Sequence, residues 1–194
     1  LRQKYLPVLT GKRSPDEYGK EIGLTAPGRF TFSPTLSPSG ELIAALATPG
    51  LELDVVILSP KDGKVIRNLT KGFTNRYASI VSEAFDGQRD LSWAPDGDRL
   101  AFFVRRENYR ELMIYDPVGG GRVDSIKFKE IASCASPAFS PDGKWIAFSG
   151  NKDGVWDIFR INLETRELQN LTQDDYYDTN PTWSADGAQV LYNR

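Results

Sequence analysis

The chain has 194 residues, 40% of them hydrophobic, with Lys+Arg 24 against Asp+Glu 26 and a formal net charge of −2. That supplies ample core material for a globular fold, and the near-balance of charge excludes nucleic-acid binding through a basic field. With no histidine, the metallopeptidase helix motif, Ser-His-Asp and Cys-His catalysis and nearly all zinc chemistry are excluded from this segment.

Residues 1–27 read as a helical lead-in, with short helices at Leu1–Leu6 and Pro15–Ile22. Ser14-Pro15-Asp16-Glu17 has the Ser-x-x-Glu spacing of a helix start, with Pro at the first helical position. Thr25–Arg29 follows as a linker. The chain opens on Leu1, with no signal peptide, so it is expected to be a processed chain or a piece of a longer one.

From residue 28 the pattern becomes that of strands. In the first unit (28–70), Glu41–Ala47, Leu53–Ser59 and Lys64–Thr70 read as strands B, C and D, with Lys61-Asp62-Gly63 as a turn. Lys71–Gln88 reads as an insertion in the connection to the next unit, where added length costs little. The second unit (89–127) has strands at Arg99–Arg105, Leu112–Tyr115 and Arg122–Lys127. The third (135–172) has Pro137–Ser140, Trp145–Ser149, Val155–Asn162 and Glu167–Thr172, and a fourth (180–194) reaches into its strand B at Arg194. No apolar run approaches the ~20 residues that span a bilayer. Cys134, the single cysteine, reads as an inert thiol beside a strand.

Each unit opens with the same turn. The copies are Leu36-Ser37-Pro38-Ser39-Gly40, Trp93-Ala94-Pro95-Asp96-Gly97, Phe139-Ser140-Pro141-Asp142-Gly143 and Trp183-Ser184-Ala185-Asp186-Gly187, with glycines 57, 46 and 44 residues apart. Pro pre-sets φ, Asp hydrogen-bonds locally, and Gly takes the left-handed φ that closes the hairpin. A period in the forties with a hairpin in each copy points to an all-β propeller of four-stranded antiparallel blades. About three and a half blades are present, so the ring is expected to be partial, with two to four blades supplied by sequence outside this segment.

The run Ser136-Pro137-Ala138-Phe139-Ser140-Pro141-Asp142-Gly143-Lys144-Trp145-Ile146-Ala147-Phe148 resembles the repeat of the TolB-like propeller family nearly position for position. Trp156–Ile161 and Glu167–Thr172 resemble that repeat's strand C and its Leu-Thr ending. Ser39, Ala94 and Ala185 depart from it. The resemblance, over residues 30–194, implies a WD40-like propeller that binds protein or peptide partners in the periplasm or cell envelope, as part of a larger envelope assembly. The opening Leu1–Pro7 also resembles bacterial envelope proteins in which a zinc-peptidase-like domain precedes such a propeller, a resemblance that implies residues 1–27 are the tail of that upstream domain; its HExxH motif is absent here. A second reading is the gating propeller of a prolyl-oligopeptidase-like serine peptidase, whose hydrolase would be encoded elsewhere, since no Gly-x-Ser-x-Gly elbow occurs.

The D–A and B–C loops of a propeller gather on one face, which singles out two segments for partner binding. Asp174, Asp175, Tyr176, Tyr177 and Asp178 combine carboxylates with aromatics suited to a cation, a basic peptide or a partner loop. The commoner role of such a cluster is a solvated cap. Arg105, Arg106, Tyr109 and Arg110 lie in a B–C loop that suits an acidic partner or a self-neutralised surface. Recurrent Asp96, Asp142 and Asp186 are explained by their turns, and Trp93, Phe139 and Trp183 read as blade-packing anchors. Asn68-Leu69-Thr70 and Asn170-Leu171-Thr172 match the glycosylation pattern but coincide with a strand ending. No catalytic residue, cofactor site or metal site is assigned.

Overall fold

A computed structural model of the chain describes residues 30–50, 52–75, 77–82 and 89–194. The expected helices at 1–27 lie outside the described residues, which contain strands and turns and no helix.

Strands β1 (Thr31–Leu36), β2 (Ile43–Ala47), β3 (Asp54–Leu58) and β4 (Val65–Asn68) form an antiparallel sheet in sequence order, the first blade. The second contains β5 (Ala78–Ile80), β6 (Leu91–Trp93), β7 (Leu100–Arg106), β8 (Arg110–Tyr115) and β9 (Arg122–Phe128). The third is β10 (Ser133–Phe139), β11 (Trp145–Lys152), β12 (Val155–Asn162) and β13 (Leu168–Asn170), followed by the pair β14 (Thr179–Trp183) and β15 (Val190–Asn193). These are successive blades of a propeller.

Blade 2 shows why these sequences form strands buried on both faces. Its runs Leu100–Val104 and Leu112–Tyr115 are continuously apolar, and successive side chains point to opposite faces. Leu100, Phe102, Val104, Met113 and Tyr115 therefore pack against Ala44, Leu46, Val55 and Ile57 of blade 1. The intervening Ala101, Phe103, Leu112 and Ile114 pack against Ile146, Phe148, Phe159 and Ile161 of blade 3. Phe148 is the hub of that second interface, its ring centroid 5.3 Å from Phe103, 5.2 Å from Phe128 and 5.7 Å from Phe159.

The turn repeat does two jobs. Within a blade, Gly143 sits at φ 69° and donates its N–H to the Ser140 carbonyl at 2.9 Å, while Asp142 accepts from Ser140 Oγ at 2.6 Å and Lys144 N at 3.1 Å. Between blades, the turn glycines of blades 2, 3 and 4 face the turn proline of the preceding blade. A Cβ on Gly97 would lie 3.6 Å from Pro38 Cδ, one on Gly143 would lie 3.6 Å from Pro95 Cδ, and one on Gly187 would lie 3.5 Å from Pro141 Cδ.

Strand A carries a bulge in blades 1, 3 and 4. Ladder register shifts between Phe32 and Thr35, between Ala135 and Ala138, and between Thr179 and Thr182. At each, a polar residue before proline adopts positive φ: Ser33 at 50°, Ser136 at 53° and Asn180 at 56°. Blade 2 differs. Its strand A is split into β5 and β6, both paired to β7, with Ile80 opposite Val104 and Leu91 opposite Phe102. The ladder on β7 thus breaks between Ile80 and Leu91, at the point where the other blades have a two-residue bulge. The extra length enters inside strand A rather than in the preceding connection, because the bulge already interrupts the ladder and an insertion there breaks no additional pairing.

Candidate functional site

Antiparallel order places the D–A and B–C connections at one end of every sheet. There, residues 173–178 link β13 to β14. Asp178 is buried, Asp174 half-buried, and Asp175, Tyr176 and Tyr177 exposed. Arg194 neutralises the cluster: its Nε lies 2.9 Å from Asp178 Oδ1, its Nη2 lies 3.0 Å from Asp178 Oδ2, and Nη2 also pairs with Asp174. The same guanidinium stacks 4.5 Å from the Tyr176 ring. Hydrogen bonds from Arg194 hold the Asp178 carboxyl below the usual carboxylate range, and the pairing raises Arg194 in turn. Tyr177 leans on Trp156, ring centroids 5.8 Å apart.

Asp157 completes a group of carboxylates with Asp174 and Asp178, their oxygens within 4.8 Å of one another. It belongs to a repeated network, however. Asp157 accepts from Asn170 Nδ2 at 2.7 Å and Thr172 Oγ1 at 3.3 Å, and Thr172 Oγ1 accepts from Ile158 N at 3.0 Å. Blade 1 repeats this, with Asp54 accepting from Asn68 Nδ2 at 2.8 Å and Thr70 Oγ1 at 3.1 Å, and Val55 N donating to Thr70 Oγ1 at 2.8 Å. Both Asn-Leu-Thr sequons are thus built into strand endings, with the asparagine amide given to a buried carboxylate.

Blade 2 has Glu111 at the matching position, and that buried carboxylate pairs with Arg106 Nε at 2.8 Å. Arg106 also covers the Phe73 ring at 4.8 Å, and Lys127 lies 5.2 Å above Tyr109. Arg105 is exposed and faces half-buried Arg110 across the β7–β8 ladder. Arg106 and Tyr109 are therefore engaged by neighbouring side chains, leaving Arg105 and Glu107 as the loop's exposed charges, with Arg110 half-buried. The two candidate loops share a face but sit on either side of blade 3.

Sequence reasoning missed the inner wall. Asp90 is buried and accepts from Ser33 in blade 1 and from Ser82 Oγ at 3.1 Å. Ser136 Oγ donates to Asn180 Oδ1 at 2.8 Å, and Asn180 N donates to Ser149 Oγ at 3.0 Å. Arg89 reaches from blade 2 to the Pro181 carbonyl in blade 4, with Nη2 3.1 Å away. The available signal was a polar residue before proline, three positions ahead of the anchor Leu36, Phe139 or Trp183.

Comparison with known proteins agrees with this geometry. An uncharacterized protein of Agrobacterium fabrum is 24% identical over 157 residues, covering 81% of this chain and 48% of the relative. An uncharacterized peptidase of Bacillus subtilis, YuxL, is 29% identical over 109 residues, covering 53% of this chain and 16% of the relative. The chain thus spans about half the length of the first and a small part of the second. A solved structure assigned to TolB of Agrobacterium tumefaciens superposes with a TM-score of 0.67 at 22% identity, covering 86% of this chain and 56% of that one. Residues 90–194 match the TolB beta propeller domain family, PD40, and the chain belongs to that family.

Proposed function

We propose that the chain is a non-catalytic propeller segment that presents its D–A and B–C loops to a protein or peptide partner in the bacterial cell envelope. The supporting observation is the juxtaposition on one face of a rigid, doubly buried set of blades with exposed Tyr176, Tyr177, Asp175 and Arg105. Aromatic and charged side chains held by a preorganised scaffold bind at low entropic cost. The envelope placement rests on likeness to TolB, which is periplasmic.

A photocrosslinking residue at Tyr177 or Arg105 of the full-length protein in cells is expected to capture a discrete partner. One at Lys61, in an exposed turn at the opposite end of blade 1, is expected not to. Adducts from Lys61 alone would overturn the proposed face, and cytoplasmic fractionation would overturn the location.

The similarity to YuxL favours a second reading, in which these blades gate a peptidase domain. Hydrolysis of a prolyl chromogenic peptide by the full-length protein, lost on removing residues outside this segment, would select it.

A further inference from the structure

At the opposite end of the blades, where the A–B turns lie, all four inner strands border one cavity of about 370 Å³. Its walls come from strand A and turn residues such as Leu91, Trp93, Pro137, Phe139 and Trp183. Among the described residues that line it, Arg89 is the single charged side chain. The indole N–H groups are already committed, Trp93 Nε1 to the Thr35 carbonyl at 3.1 Å and Trp183 Nε1 to the Ala138 carbonyl at 3.0 Å. Ser92 Oγ likewise accepts from Phe139 N at 3.1 Å. Of the polar groups that remain, the Thr35 and Thr182 hydroxyls and the Arg89 guanidinium, only the guanidinium is charged.

We infer that this cavity is a carboxylate-binding pocket for a short extended peptide, with Arg89 as the recognition residue. One bond, from Nη2 to the Pro181 carbonyl, pins the guanidinium across the cavity. That is the single hydrogen bond of Arg89 among the described residues. A planar cation with five donors, fixed by one of them, retains donors in a fork that matches a carboxylate bidentately. Arg89 is exposed, so that contact rests on the charge and fork geometry of the guanidinium rather than on desolvation, and tryptophan, phenylalanine and proline side chains form the walls beside it. They also offer apolar surface to proline or alanine side chains, and the volume lies near the low end of small-ligand pockets, roughly 300–1,000 Å³. The carboxylate is a peptide C-terminus or an acidic side chain. The inference shares with the proposed function only the choice of a peptide as ligand. Its pocket lies at the other end of the blades from the loops bearing Tyr177 and Arg105.

The test uses the full-length protein and three N-terminally labelled probes: Gly-Ala-Pro-Ala as the free acid, the same peptide as its amide, and Gly-Ala-Glu-Ala amide. Binding is read by the anisotropy of the label. At least one carboxylate-bearing probe is expected to bind, and the uncharged amide at least tenfold more weakly. The free acid alone binding assigns the C-terminus, and the Glu amide binding assigns the side chain. R89Q is expected to lose at least tenfold in affinity with an unchanged melting temperature, and R89K to retain part of it, since Lys keeps the charge without the fork. Equal binding of the acid and the uncharged amide, wild-type affinity in R89Q, or no binding of any probe up to about 1 mM would each overturn the inference. Crosslinking at Tyr177 would be untouched by that failure, and its own failure would leave the probe result standing.

Discussion

The indole nitrogen of Trp93 donates a hydrogen bond to the carbonyl oxygen of Thr35 in the preceding blade, 3.1 Å away. Trp183 repeats the contact on Ala138 one interface further along, at 3.0 Å. Phe139 has no such donor, and in its place its own backbone N–H reaches Ser92 Oγ of the preceding blade at 3.1 Å. The residue before each turn thus joins inner strands that share no ladder. Trp93→Phe keeps the aromatic packing and removes this donor, leaving a Thr35 carbonyl short of its partner. We expect a loss of about 1–2 kcal/mol, read as a lower urea midpoint with an unchanged slope. An unchanged midpoint would show that water replaces the indole.

Gly143 is constrained by both its own turn and the neighbouring blade. At φ 69° a side chain is strained, and its Cβ would also stand 3.1 Å from Arg99 Nη2 and 3.6 Å from Pro95 Cδ. Gly154, at φ 90°, has nothing within 4 Å of its position. Gly154→Ala is expected to cost about 1 kcal/mol from backbone strain alone, and Gly143→Ala more. Equal losses in thermal denaturation would remove the inter-blade contribution.

Phe148 touches three other rings at one interface and is fully buried. Phe148→Ala should cost about 3–5 kcal/mol, the range for emptying a large core site. A loss under about 1 kcal/mol in chemical denaturation would mean that the interface collapses to fill the space.

Asp178 gives the fold an acid-sensitive contact. Its pKa is lowered in the folded state, chiefly by hydrogen bonding to Arg194. The unfolded chain therefore binds more protons through the acidic range, and stability rises with pH there. The contribution is fully present above the ordinary Asp value, about 4, and is lost as pH falls through the lowered folded value. Asp178→Asn should be less stable than the wild type at pH 7 by about 1–2 kcal/mol, a figure held down by the exposure of Arg194. The difference should shrink on acidification below pH ~4. A gap independent of pH would assign the effect to packing.

The Glu111–Arg106 pair can be separated from its surroundings by a double-mutant cycle with Glu111→Gln and Arg106→Gln. The carboxylate is buried and the guanidinium partly exposed, so a coupling of about 1 kcal/mol is expected. Strict additivity would show that Arg106 contributes through its stack on Phe73 instead.

The strand boundaries show how far local pattern carries. Strand C of blade 3 is predicted at Val155–Asn162 and found there, since apolar residues two apart and a preceding Asp-Gly turn determine it locally. The fourth unit likewise reaches its strand B at Val190–Asn193. Strand A was less legible. The sequence places its start in blade 3 at Pro137, whereas β10 begins at Ser133, because the bulge at Ser136 breaks the alternation a strand pattern relies on. The same interruption hid β5 ahead of the insertion in blade 2.

What the sequence determined by itself is the repeating unit: the turn whose proline and glycine impose their φ values, the hairpins flanking it, and the two-sided apolar strands that demand neighbouring blades. Those are consequences of dihedral preference and of side-chain alternation within a few residues. Only the tertiary structure decided that Arg194 neutralises Asp178, that Arg106 is given to Glu111, and that Arg89 crosses to Pro181. Arg194 and Asp178 stand 16 residues apart and Arg89 and Pro181 stand 92 apart, while Arg106 and Glu111 meet only because a hairpin folds one onto the other. A charge's partner is set by where the folded backbone brings it, and no local spacing encodes that.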